Sequence, residues 1–345
     1  MMGKMHPKRG QMMENKKIVI LNTGGTLSSV MKEDGLAPGL QTTDIQKEIR
    51  MVSGGIDLEM QDLCSLDSAN IFPEDWVHLA EKVAELRRGC DGIVIIHGTD
   101  TMAYTSSMLS FMLRNIDIPV VLTGSQLSMV NPVADAMENL RCAIHMAASG
   151  AAGVFVAFNR KVMLGCRTSK VRSLSFNAFD SINYPDVARI SSLGMKVNRE
   201  TIPIRQGVFR LCNTYSDKVF MLKLFPGMHR SVLTSLAEQG YRGIYIEAFG
   251  VGGMPFMEHD LIRTIAGLSQ GGITVLVGTQ CRYEGSNLNV YETGRRALEA
   301  GVLQAFDMTS EAALTKLMWV LGRTEDVQEI RDYFSVSLCN EVTIG

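Results

Sequence analysis

Three short segments gather small polar residues directly after apolar runs, and together they could support attack and proton transfer by hydroxyl groups. The first is Thr23-Gly24-Gly25-Thr26, after Ile18–Leu21. Two glycines permit a tight turn and close approach of backbone to a ligand, and the flanking threonines offer hydroxyls and amide donors. A plain strand-to-loop turn is the competing reading of these four residues. A phosphate cradle does not, because neither Gly-Lys-Ser/Thr nor GxGxxG completes the pattern. The second segment, His97-Gly98-Thr99-Asp100-Thr101, follows Gly92–Ile96. An aspartate there can hold an ammonium group, and a threonine beside it can give or take a proton. Capping of the next helix by Thr99 or Asp100 is the plainer alternative. The third segment, Thr123-Gly124-Ser125-Gln126, follows Pro119–Leu122. Three strands ending alike are harder to dismiss as turns than one.

The elements that must position these segments alternate. Ile18–Leu21, Gly92–Ile96, Pro119–Leu122 and Val154–Phe158 read as strands buried on both faces of a parallel sheet. Helices are expected at Pro73–Arg88, Thr105–Arg114 and Ala134–Ala148. After Gly207 a second set gives strands at Val219–Leu224, Gly243–Ile246 and Ile273–Val277. Its helices fall at Ser231–Gln239, Met257–Leu268, Thr293–Ala300 and Ser310–Leu321. Asn198–Gly207, with Pro203 and no apolar period, reads as a linker. The expectation is an α/β protein of two α/β domains: a larger N-terminal one over 18–197, with a mostly parallel sheet flanked by helices, and a smaller C-terminal parallel-sheet domain over 218–345. A linker spans 198–217 and a loose tail 1–17. In open parallel sheets ligands bind beyond the carboxyl ends of the strands, which directs attention to the loops after Leu21, Ile96 and Leu122.

Composition narrows the function classes. The 345 residues suffice for two cores, and 46% apolar with 20% charged residues is ordinary for a globular chain. A net charge of −2 argues against a nucleic-acid binder, and the run Arg205–Arg210 is too sparse to change that. Seven cysteines, scattered singly without a CxxC pair, argue against a disulfide framework or a zinc site and for reduced thiols in the cytoplasm. No stretch approaches the roughly 18 apolar residues of a membrane span, and Met1–Lys17 has no apolar core of a secretion signal behind it.

Ile20-Leu21-Asn22-Thr23-Gly24-Gly25-Thr26 resembles the first signature of the bacterial-type L-asparaginases, and Gly92 to Met102 resembles the second. Further similarity runs through Asp67-Ser68, Phe72 to Trp76, Tyr104-Thr105, Thr123 to Gln126, Arg167-Thr168-Ser169-Lys170, Gly250-Val251-Gly252 and Thr279-Gln280-Cys281. It covers nearly the whole chain and is nearest the cytoplasmic type I branch. The resemblance implies hydrolysis of L-asparagine to L-aspartate and ammonia. Thr26 would be the attacking residue of an acyl-enzyme, with Thr99, Asp100 and Lys170 as the second hydroxyl and its partners. Substrate would be held by Asp67, Ser68, Thr99, Asp100 and Ser125. No metal or organic cofactor is needed, no nucleic acid or membrane is involved, and a homodimer or homotetramer with sites near subunit contacts is implied.

A threonine hydroxyl is a weak nucleophile and needs a base or relay. An ordinary lysine is protonated at neutral pH, so Lys170 is assigned to a relay with Thr99 rather than to the role of sole base. By local sequence alone Lys170 is one solvated cation between Arg160 and Arg172, and only its matched context promotes it. His97 reads as a hydrogen-bonded structural residue at a strand end, and His78 and His145 have no evident partner. The match departs in three places. No tyrosine lies between Leu27 and Gly39, where members of the family carry one against the attacking threonine; Leu36 is nearest. Leu27 replaces a β-branched residue. Glu247 stands where type I relatives place an arginine near a second, regulatory asparagine site, and its carboxylate would repel that ligand, so no such regulation is expected. Two other readings compete: the asparaginase-like subunit of a tRNA amidotransferase, disfavoured by the short tail before Ile18, and a non-catalytic asparagine sensor.

Overall fold

Short aliphatic runs, apolar on both faces, form the centre of an eight-stranded sheet in the computed structural model of the chain, which describes residues 16–32, 35–38, 49, 55–258 and 260–344. Its strands are β1 (Lys17–Gly24), β2 (Asp57–Leu66), β3 (Gly92–Ile96), β4 (Pro119–Thr123), β5 (Gly153–Phe158), β6 (Lys161–Leu164), β7 (Ala188–Ser191) and β8 (Gly194–Val197). They lie in the order β8-β7-β6-β5-β4-β3-β1-β2. The five strands from β2 to β5 run parallel, and β6 to β8 extend the sheet antiparallel. Every residue of β3 and β4 is buried, as expected where helices cover both faces.

The first helices are α1 (Pro73–Leu86), α2 (Met102–Met112) and α3 (Ala136–Ala147). On α1, Trp76, Leu79, Ala80 and Val83 form the buried stripe. Helix α2 is buried nearly all round and begins three residues before its expected start. It stops at Met112 because Leu113–Arg114 leave the helix to pair with Arg210–Leu211.

A second, four-stranded parallel sheet has β9 (Val219–Lys223), β10 (Gly243–Ala248), β11 (Thr274–Thr279) and β12 (Leu303–Gln304) in sequential order. Helices α4 (Ser231–Glu238), α5 (Leu261–Gln270), α6 (Glu292–Glu299), α7 (Ser310–Leu321) and α8 (Val327–Ser335) accompany it. The helix expected from Met257 starts instead at Leu261, where Asp260 accepts a capping bond from Arg263 N at 2.9 Å. Helix α7, buried along almost its whole length, joins the hydrophobic core of the large sheet through Leu317, Trp319 and Val320. The two-domain α/β expectation therefore holds. Residues 1–15 of the expected tail lie outside the described residues, while Lys17 already opens β1.

The order 2-1-3-4-5 has a consequence for function. Leaving β1 the chain builds one neighbour, β2, and later returns to build β3 on the other side. Loops at the carboxyl ends of β1 and β3 therefore diverge and leave a crevice between them, the switch point at which open α/β sheets bind ligands.

Candidate active site

The crevice is built from glycines. Gly24 and Gly25 have φ of +102° and +82°, a backbone that L side chains rarely adopt. A Cβ on Gly25 would sit 2.5 Å from Gly98 N, and one on Gly98 would sit 2.5 Å from Ser68 Oγ. The loops after β1, β3 and β2 thus touch backbone to backbone, as the sequence motifs require. Thr23 and Thr26 divide their roles. The Thr23 hydroxyl is buried and donates to Ile96 O at 2.8 Å, stapling β1 to β3. Thr26 opens a 3-10 turn, Thr26–Ser28, is half-buried, and its hydroxyl meets no partner among the described residues. Leu27 is fully buried beneath it, and Leu27 O accepts from Met129 N at 3.3 Å. The side chain of Leu36 lies outside the described residues.

On the second loop Thr99 is buried and Asp100 exposed. Lys170 Nζ donates to Thr99 Oγ1 at 2.8 Å and to Asp100 Oδ1 at 2.6 Å. A cation holding both oxygens orients the hydroxyl by charge-assisted bonds. Neither Thr99 nor Asp100 caps α2. The N-cap position is Thr101, whose own hydroxyl donates to Ser68 O at 2.8 Å and ties the loop to the end of β2.

Asp67 is exposed and accepts from Ala69 N at 2.9 Å, while Ser68 is buried with a hydroxyl unbonded among the described residues. Ser125 is buried and its hydroxyl donates to Leu127 O at 2.6 Å, so that hydroxyl is already engaged. The neighbouring Gln126, which sequence reasoning left without a role, faces Thr99: its Oε1 lies 3.4 Å from Thr99 Oγ1, and its amide donates to Ser173 O and Ser175 O.

Lys170 ends a two-stranded ladder, Thr168–Lys170 with Phe179–Ser181. Behind it Ser169 Oγ donates to Glu311 Oε1 at 2.7 Å, and Arg282 donates to Ser169 Oγ at 3.1 Å. Burial pushes the Glu311 carboxyl up, against the lowering effect of the Ser169 bond. These groups line a polar cavity of about 250 Å³ with Glu247, Thr279 and Cys281. Glu247 is buried there and accepts from Ser310 Oγ. Burial, with the charges of Glu311 and Glu247 adding, pushes Tyr104 on the same wall up to about 12. No cluster of three metal-ligating side chains occurs among the described residues.

A site made of two Gly-Thr loops at a switch point, with a lysine bridging the second threonine to an aspartate, places the chain in a class. The asparaginase N-terminal family model matches residues 17–203 and the glutaminase/asparaginase C-terminal model matches 218–334. The chain belongs to the asparaginase family. It is 45% identical over 329 residues to the L-asparaginase of Thermococcus kodakarensis, covering 95% of this chain and 99% of that protein. The solved structure of the T. kodakarensis enzyme superposes with a TM-score of 0.89 at 44% identity, over 95% of this chain and all of the other. L-asparaginase I of Vibrio cholerae follows at 0.85 and 29%, covering 96% of this chain and 100% of that one. A glutamyl-tRNA(Gln) amidotransferase component from Pyrococcus furiosus is 38% identical over 94% of this chain and 76% of its own length.

Proposed function

We propose that the protein is a cytoplasmic L-asparaginase of the type I branch, hydrolysing the side-chain amide of L-asparagine to L-aspartate and ammonia through an acyl-enzyme on Thr26. The observation that supports this reading is the contact of Gly25 with Gly98, which joins the loop carrying Thr26, its hydroxyl unbonded among the described residues, to the loop carrying Thr99 and Asp100, both held by Lys170. Asp100 would hold the substrate ammonium and Ser68 the α-carboxylate, with Asp67 and Ser125 completing the substrate pocket. The Thr26 oxygen attacks the amide carbon while its proton passes into the relay of Thr99 and Lys170. The backbone N–H groups of Thr26 and Thr99 receive the negative charge on the amide oxygen, a contribution of ~3–4 kcal/mol per donor. The C–N bond breaks, ammonia leaves with the relayed proton, and water then cleaves the ester to aspartate and restores Thr26.

Seven free thiols support a reducing compartment. Assembly into homodimers or homotetramers belongs to the same reading. Similarity to the amidotransferase component supports a second role, ammonia delivery to a partner, at lower identity. Ammonia release from free L-asparagine and L-glutamine, wild type against Thr26→Ala, separates these. Turnover of asparagine that vanishes in the variant is expected, and a wild type inert toward both amides rejects the proposal.

A further inference from the structure

His97 takes no part in the chemistry above, yet its ring sits directly behind the second loop. The side chain is fully buried. Nδ1 lies 2.6 Å from Gly98 O, and Nε2 lies 3.0 Å from Thr105 Oγ1, which in turn accepts from Trp76 Nε1 at 2.9 Å. These contacts leave one assignment of protons. A carbonyl oxygen only accepts, so Nδ1 carries the hydrogen. The indole N–H only donates, so Thr105 accepts from Trp76 and turns its own hydrogen to Nε2. Every donor then has an acceptor, with the imidazole neutral. Burial favours that state, holding the ring's pKa down at about 4.

We infer that His97 is a positioning residue: by gripping Gly98 O it aims the Thr99 N–H into the crevice, and Trp76 and Thr105 act through it by anchoring the opposite edge of the ring. In a trans peptide C=O and N–H point in opposite directions, and no cis bond interrupts the described chain. Holding Gly98 O toward the interior therefore sends the Thr99 N–H outward, where no acceptor among the described residues meets it. His97 provides the one hydrogen bond to Gly98 O among the described residues. The adjoining His97–Gly98 peptide carries the loop of the attacking residue, since a Cβ on Gly25 would lie 2.6 Å from Gly98 Cα and 3.0 Å from His97 C. A shift of Gly98, which the two peptides share, would misdirect a donor and disturb the seat of Thr26 together.

The role rests on the asparaginase reading, through the use of the Thr99 amide as an oxyanion donor. The test uses the full-length protein with Thr105→Val, Thr105→Ser and His97→Phe. Thr105→Val keeps shape but removes the hydroxyl that Nε2 and Trp76 Nε1 both meet, so the ring loses the anchor that holds it against Gly98 O. In the folded Thr105→Val and His97→Phe proteins kcat for L-asparagine is expected to fall on the order of 10²-fold, with KM little changed, and Thr105→Ser to recover it. Imidazole 15N chemical shifts of the wild type should show Nδ1 protonated and Nε2 bare at neutral pH. Thermal melting monitors folding, and a merely structural role would lower the melting temperature and leave kcat per folded molecule alone. An Nε2-protonated ring, or a folded His97→Phe or Thr105→Val with wild-type kcat, overturns the inference. A wild type inert toward asparagine overturns the functional reading instead, and the nitrogen shifts then decide the proton assignment alone.

Discussion

Two lysine–carboxylate pairs in this chain have the same 2.6 Å contact and opposite characters. Lys170 and Asp100 are 18% and 65% exposed; Lys316 and Glu341 are both wholly buried. Glu341 is satisfied on every side. Its carboxylate also accepts from Leu338 N at 2.8 Å and Cys339 N at 2.8 Å, while Lys316 donates to Val336 O at 3.1 Å and lies over the Phe334 ring. Burial drives the Glu341 carboxyl up, but the Lys316 charge and these bonds together outweigh it and leave the group below its ordinary value. The buried pair fixes the C-terminal segment to α7 and has no coordination left to offer. The exposed pair meets water on one side, and the Asp100 oxygen that a substrate ammonium would approach remains reachable. Distance alone does not tell structure from chemistry; accessible remaining valence does.

Removing the exposed lysine tests that distinction most severely. Lys170→Met should lower kcat for asparagine on the order of 10²–10⁴-fold, the usual range for a proton-transfer group, with an unchanged melting temperature. Asparagine turnover by the folded variant at the wild-type rate would break the comparison. The carboxylates give the next contrast. Glu341→Gln leaves a buried ammonium without its partner and should cost about 3–5 kcal/mol of unfolding free energy in urea titrations. Asp100→Asn should cost no more than about 1 kcal/mol, because its partner keeps access to water.

Acid sharpens the picture with a smaller effect. His97 has a folded pKa of about 4 against 6.5 for an ordinary histidine, so between these values the unfolded chain binds more protons. Stability should therefore fall by about 3 kcal/mol as pH drops through that window. Glu341, whose folded pKa lies below its ordinary 4.5, contributes stability above that pH and loses it on further acidification. Urea midpoints measured from pH 7 to 3 should show both losses in wild type, and only the first in Glu341→Gln.

Sequence periodicity revealed the strands that are apolar on both faces and little of those that are not. β3 was legible to the residue, because burial on both sides leaves an unbroken aliphatic run. β2 was not, since this edge strand alternates half-buried with exposed residues such as Asp62 and Ser65. The antiparallel β7 and β8 escaped for the same reason. Helix α7 was legible in place but not in allegiance: its pattern shows that it is buried, not that it shares the first core. Within the site, Thr26, Thr99 and Asp100 stood out locally as polar groups at strand ends, whereas Asp67, Ser68 and Lys170 were legible only through resemblance. Gln126 and the His97–Thr105–Trp76 chain bring together groups up to 49 residues apart in sequence, and pairings of that kind exist only once the sheet has formed.

The contact between Gly25 and Gly98 has an evolutionary corollary. Neither residue carries a group that could react, yet a single added methyl at either would wedge two loops apart. Such a scaffold could vary the walls around the crevice, but a side chain at either of these two thinnest points would cost it the contact that joins the loops.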